Sequence, residues 1–205
     1  MDASSNIILN GNNIALKGNV GNGVANTGYE LGGDMYYFHQ TPALLAQDLM
    51  QFVPLIEGDI CYEPFAGENA FYNAFPPFVS RDWTEITRDR DYKNHTNPYD
   101  WVITNPPFRL PNDEGIRKNA IYPLLLHFAT KARKGIAFLA SDYAFNSLTP
   151  IRIKKMASLG FYLKSLTTCA IKEWRGRYYF LVWTKEPCSF FTCLTSTYSN
   201  KSIGL

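Results

Sequence analysis

Three apolar runs set the frame for this chain. Residues 59–63 (DICYE), 100–104 (DWVIT) and 135–140 (GIAFLA) are too short for helices and too continuous for strands with one wet face. Such runs suit strands buried on both sides, as in a parallel sheet covered by helices. Helical spacing lies between and around them. In 41–52, Pro42 stands in the first turn behind a Thr41 cap, and Leu44, Leu45, Leu49 and Phe52 recur. Residues 66–75 and 116–133 read as helices, the second with Ile121, Leu124, Leu125 and Phe128 on one side. Residues 150–159 read as a basic amphipathic helix stopped by Gly160. Further strands are expected at 83–86, 163–168 and 178–184, the last two closing around Arg175-Gly176. Strands alternating with helices predict an α/β protein with a mostly parallel sheet and an antiparallel hairpin at its end.

Both ends of the chain differ from this middle. Residues 1–34 hold seven of the fourteen glycines and seven asparagines, with a hairpin signal at Asn10-Gly11 between apolar triplets. We expect a flexible arm over 1–34, one domain over 35–187 and a loose tail over 188–205. At 46% apolar and 19% charged, 205 residues can bury a sizeable core, which excludes a disordered or fibrous protein. No run of eighteen apolar residues exists, so no membrane span is expected. The start lacks the basic and apolar parts of a secretory signal. The four cysteines, at 61, 169, 188 and 193, form no CxxC pair. An intracellular protein with neither a disulfide framework nor a metal is expected.

The net charge of +2 hides an asymmetry. Residues 1–108 carry five Lys/Arg against thirteen Asp/Glu, whereas 109–185 carry fourteen against four. A basic half suits an anionic partner such as nucleic acid, although a solvated surface would look the same.

Two motifs carry chemistry. The first, YEPFAGENAF at 62–71, follows an apolar strand and opens a helix, where ligands bind in open α/β sheets. Gly67 allows backbone to approach a ligand closely. Glu63 ends the strand, where its carboxylate can meet a cationic group. Glu85 follows Gly67 by eighteen residues and stands where an acid commonly takes ribose hydroxyls. There is no GKS or GKT, and Glu63 and Glu68 would repel phosphate, so the loop suits a nucleoside without phosphates. An ordinary strand–turn–helix with a packing glycine would read alike.

The second motif is more specific. After 100–104 comes Asn105-Pro106-Pro107-Phe108. An [Asn/Asp/Ser]-Pro-Pro-aromatic string arises in a chain of this length with a chance of roughly 1%. Two prolines make a rigid extended turn. Asn105 offers a side-chain oxygen, Pro106 a carbonyl and Phe108 a flat face. Two acceptors beside an aromatic plate suit a planar group bearing an NH2.

On these residues the chain resembles the S-adenosylmethionine-dependent amino-methyltransferases that act on adenine, of the small phage and viral kind that lack a large target-recognition domain. Asn105–Phe108 matches that family's catalytic loop at the end of its fourth strand, and Glu63–Gly67, with Phe65, its cofactor loop. Glu85 matches the ribose-binding acid. Asp91, with Tyr92 beside it, matches an acid near the cofactor's adenine. Phe38 and Thr41-Pro42 match an element that closes over the methionine end. WRGRYY at 174–179, with Trp174 and Tyr178, matches a stretch that walls the target-base pocket. The resemblance covers about residues 36–185. Asn69 departs from it, standing where many members carry a further glycine.

The resemblance implies a Rossmann-like class I methyltransferase fold. Its sheet is mostly parallel and seven-stranded with an antiparallel terminal hairpin, and helices cover both faces. It also implies S-adenosylmethionine as cofactor and methylation of the exocyclic amine of adenine in nucleic acid, DNA ahead of RNA. Asn105 and the Pro106 carbonyl would grip the amine and Phe108 would stack on the base. Arg109, Lys154, Lys155, Arg175 and Arg177 would hold phosphates. Sequence recognition would come from a homodimer or a partner subunit. Protein glutamine, which also ends in a planar NH2, and the cytosine amine are rival substrates. A non-catalytic nucleic-acid-binding subunit of the same fold is the rival from another class.

Overall fold

A computed structural model describes residues 8–9, 12–13, 27–31, 34–38, 40–111, 117–170 and 176–187. Six strands form the main sheet: β1 (Ile60–Glu63), β2 (Ser80–Trp83), β3 (Trp101–Thr104), β4 (Gly135–Ser141), β5 (Tyr162–Cys169) and β6 (Tyr178–Thr184). Their order across the sheet is β5-β6-β4-β3-β1-β2. The pairs β1/β2, β1/β3 and β3/β4 are parallel, and β6 runs antiparallel to both of its neighbours. The helices are α1 (Ala43–Met50), α2 (Ala70–Ala74), α3 (Ile121–Ala129), α4 (Asp142–Phe145) and α5 (Pro150–Ser158). Among the described residues, no helix is long and apolar enough to cross a membrane.

Alternation along the strands builds two cores. On one face Cys61, Trp101, Ile103, Ala137, Leu139, Phe180 and Val182 pack against Leu49 and Met50 of α1 and Phe71 of α2. On the other, Tyr62, Val102, Ile136, Phe138, Leu181 and Trp183 pack against Leu124, Leu125 and Phe128 of α3 and Met156 of α5. Strands buried on both sides explain the continuous apolar runs. Cys61 and Cys169 are free thiols within this core. Burial, with Asp59 and Asp100 nearby, pushes the Cys61 thiol up to about 12, which makes it a poor nucleophile.

The sheet has six strands among the described residues, not the expected seven. The connection 84–100 holds two 3-10 turns, Ile86–Arg88 and Tyr92–Asn94, where a further strand would lie. Asp82 on β2 explains this. Its carboxylate accepts from His95 at 2.8 Å, Asn97 at 3.0 Å and Arg90 at 3.3 Å, and the His95 ring stacks on Tyr62 at 4.0 Å. Side chains, not a backbone ladder, tie this connection to the sheet edge.

Other boundaries also moved. The second strand runs over 80–83, so Glu85 lies just beyond its end. The helix expected over 116–133 begins at Ile121, because Arg117–Asn119 pairs antiparallel with Arg109–Pro111. Thr27–Leu31 pairs with Asp34–Phe38 across the boundary expected at residue 34, and Phe38 ends that second strand. Ile8–Leu9 pairs with Asn12–Asn13, as the Asn10-Gly11 signal predicts. Of the apolar residues that recur at helical spacing in 41–52, Leu49 is buried and Leu44 and Phe52 are exposed. The tail 188–205 lies outside the described residues.

Candidate active site

The crossover carrying α2 lies on one face of the sheet and the crossover carrying α3 on the other. Strands β1 and β3 are neighbours, so the chain leaves their carboxyl ends in opposite directions and opens a crevice there. Glu63 and Thr104 end these two strands.

Glu63 is 2% exposed and turns its carboxylate to α2, where the Tyr72 N–H donates to Oε2 at 2.7 Å. Burial pushes its pKa from 4.5 up to about 8, although the Tyr72 and Phe71 amides pull the other way. The folded protein therefore keeps this proton to a higher pH than the unfolded chain does. Between pH 4.5 and about 8 the unfolded chain binds fewer protons, so stability is fullest at the acid end and is lost as pH rises through about 8. Glu63→Gln should flatten that slope, as read from urea unfolding at several pH values. An unchanged slope in the variant would show that another group sets it.

The turn after β1 is fastened at several points. Gly67 (φ +48°) and Asn69 (φ +67°) are left-handed, which glycine tolerates freely and asparagine better than most residues. The Gly67 N–H donates to Glu85 Oε2 at 2.8 Å. Glu85 Oε1 accepts from the Thr87 N–H at 3.1 Å and its hydroxyl at 2.9 Å. Arg88 Nη2 donates to the Gly67 carbonyl at 2.7 Å and to Asn69 Oδ1 at 2.8 Å. Its guanidinium lies 4.1 Å from the Trp83 ring centroid, and that of Arg90 lies 4.0 Å from the same ring. Arg88 was not foreseen. In sequence it is one cation in an acidic half, with nothing to mark its reach back to residue 69.

A third piece of chain enters the same crevice. The Asn105 amide donates from Nδ2 to Thr41 Oγ1 at 3.2 Å, across 64 positions of sequence. Thr41 was expected to cap α1, yet no side chain caps that helix and Pro42 is its N-cap residue. The buried Thr41 hydroxyl faces Asn105 instead. Gln40, also unforeseen, places Oε1 3.7 Å from where a Cβ of Gly67 would stand. Residues 40–41, 67 and 105 thus meet at one place.

The rest of the expected site surrounds them. Pro106 is buried and Pro107 half-buried. Phe108 packs at 6.2 Å and 37° against Tyr178, which is 4% exposed and belongs to the core. Phe65 packs on Tyr92 at 4.9 Å and on Phe128 at 6.2 Å. Asp91 accepts the Lys93 N–H at 2.9 Å and so caps its own 3-10 turn. Arg109 and Arg177 are exposed at the same edge of the sheet. Lys154 and Lys155 are exposed on α5, in the helical layer on one face of the sheet. Trp174 and Arg175 lie outside the described residues.

Neither a protein-family model nor a curated protein matches the sequence. Solved structures do. A chain of the E. cuniculi Mtq2–Trm112 complex, described as methylating a translation termination factor, aligns with a TM-score of 0.53 at 11% identity, over 74% of this chain and 99% of that one. TrmN from Thermus thermophilus aligns at 0.49 and 14%, over 70% of this chain and 49% of that one. Magnesium protoporphyrin IX methyltransferase from Synechocystis, with bound SAM, aligns at 0.48 and 11%, over 70% and 77%. The architecture is the Rossmann-like fold of methyltransferases, with helices on both faces and an antiparallel hairpin, β5–β6, at one end of the sheet.

Proposed function

We propose that this protein transfers a methyl group from S-adenosylmethionine to the exocyclic amine of adenine in nucleic acid. The observation that carries the reading is the meeting of Asn105 with Thr41 at the crevice beside Gly67. S-adenosylmethionine, when bound, supplies a methyl group on a positively charged sulfur. The residues fit such a ligand. A buried acid, Glu85, lies just beyond the second strand, and Oε2 takes one bond from Gly67, which leaves it acceptor capacity for a hydroxyl. Glu85, Asp91, Tyr92 and Phe65 would hold the adenosine half. Glu63, Gly67, Thr41, Pro42 and Phe38 would enclose the other.

The Asn105 amide turns its nitrogen to Thr41. With Nδ2 given to the threonine, Oδ1 becomes the acceptor offered to an incoming N–H. Together with the Pro106 carbonyl it would draw both amine hydrogens out of the base plane. The nitrogen lone pair then leaves the ring's conjugation and becomes nucleophilic. The same two acceptors stabilise positive charge as it grows on nitrogen. The proline pair holds them at fixed spacing, so little reorganisation is needed. A base inside a duplex cannot reach them, so the target enters flipped out or single-stranded, with Phe108 against its face.

A second reading has one observation in its favour. The complex that aligns at a TM-score of 0.53 is described as methylating a protein. A side-chain amide carries the same planar NH2, and the same acceptors would take it. Purified protein incubated with methyl-labelled donor and, separately, with adenine-containing DNA, RNA and a protein extract tests both. Label is expected in N6-methyladenine. Label in protein alone would install the second reading. Donor binding without transfer to any of them would leave a non-catalytic binding subunit.

A further inference from the structure

One exposed aromatic side chain at the sheet's carboxyl edge has no part in the fold's core. Tyr143, on α4 just after β4, is 52% exposed. The Arg109 guanidinium lies over its ring, 5.0 Å from the centroid. Arg109 directly follows Phe108, so this pair stands one residue away from the ring assigned to the target base. Two contacts fasten the short helix that carries it. Asn119 Nδ2 donates to the Tyr143 carbonyl at 3.3 Å, which ties the 109–111/117–119 ladder to α4. The Asp142 N–H donates to the Arg177 carbonyl at 2.9 Å, which ties α4 to the start of β6. Lys118, beside Asn119, and Arg177, beside Asp142, are both exposed at the rim. Among the described residues the acid at this surface, Asp142, turns Oδ1 to the Tyr143 N–H at 2.7 Å.

An exposed tyrosine topped by a guanidinium and rimmed by cations has the chemistry of a stacking platform for single-stranded nucleic acid. Every base has a face that can lie on the ring, and Arg and Lys meet the phosphates without reading sequence. A packing role would bury the ring, whereas this one stays exposed with a guanidinium over its face. From this we infer that Tyr143 and Arg109 stack the unpaired nucleotide next to the target base, while Lys118 and Arg177 hold its phosphates. The inference rests on the nucleic-acid reading above and adds the strand's path across the surface.

Fluorescence anisotropy of the full chain with labelled oligothymidylate and oligouridylate tests it, because neither carries an adenine amine. Binding is expected for the wild type. Tyr143→Ala should weaken it about tenfold, near the low end for loss of one stacked base, whereas Tyr143→Phe should bind as wild type does. On an adenine-containing strand, Tyr143→Ala should raise KM by a similar factor and leave kcat nearly unchanged. Equal binding by Tyr143→Ala and wild type would overturn the platform. If methylation of adenine persisted in that case, the proposed function would stand without it. Wild type that binds neither oligonucleotide would overturn the platform too, and label appearing only in protein would then remove the nucleic-acid reading as well.

Discussion

Asn105→Ala is expected to lower kcat for methyl transfer by about 10²–10³-fold, the usual cost of deleting one preorganised electrostatic contact to a transition state. Affinity for S-adenosylmethionine, followed by calorimetry, should change little, because the loop at Gly67 is held by Glu85 and Arg88 and not by Asn105. The effect belongs on kcat because the contact strengthens only as charge grows on nitrogen. Thr41→Ala provides the partner experiment. It leaves the acceptor in place and removes the hydroxyl that orients it, so a smaller loss is expected, again in kcat. Full turnover by Asn105→Ala would remove this residue from the reaction.

Gly135→Ala is expected to destabilise the fold by about 3 kcal/mol or more, at or beyond the usual range for overpacking a core. A Cβ at this position would stand 2.1, 2.5 and 2.6 Å from three ring carbons of Trp101. The two residues are register partners on neighbouring parallel strands, so the indole lies across the glycine. The ring cannot swing away cheaply. Its Nε1–H donates to Asp59 Oδ2 at 3.1 Å, and Asp59 is buried and paired with Lys134. Urea unfolding of variant and wild type measures the loss. An unchanged midpoint would mean that β3 and β4 can separate to admit a methyl group.

Local patterning announced most of the sheet. Apolar runs at 59–63, 100–104 and 135–140 became β1, β3 and β4, since burial on both faces demands such runs. The crevice residues were legible where the motif was contiguous, as in 105–108. Contacts made across the chain were not. Thr41 looked like a cap because Thr-Pro before a helix usually is one, yet its partner is 64 positions away. Arg117–Asn119 looked helical because an apolar helix follows, yet it pairs with Arg109–Pro111. The 84–100 connection holds no strand because the Asp82 carboxylate collects His95 and Asn97, which periodicity does not record. Gln40, Arg88 and Tyr143 gain their significance only from what the fold sets beside them.

The grip of Arg88 on Gly67 and Asn69 has a thermodynamic consequence. The bend after β1 is already rigid before any guest arrives, so docking there forfeits little chain freedom. Release the clasp and the same guest must first organise its own berth.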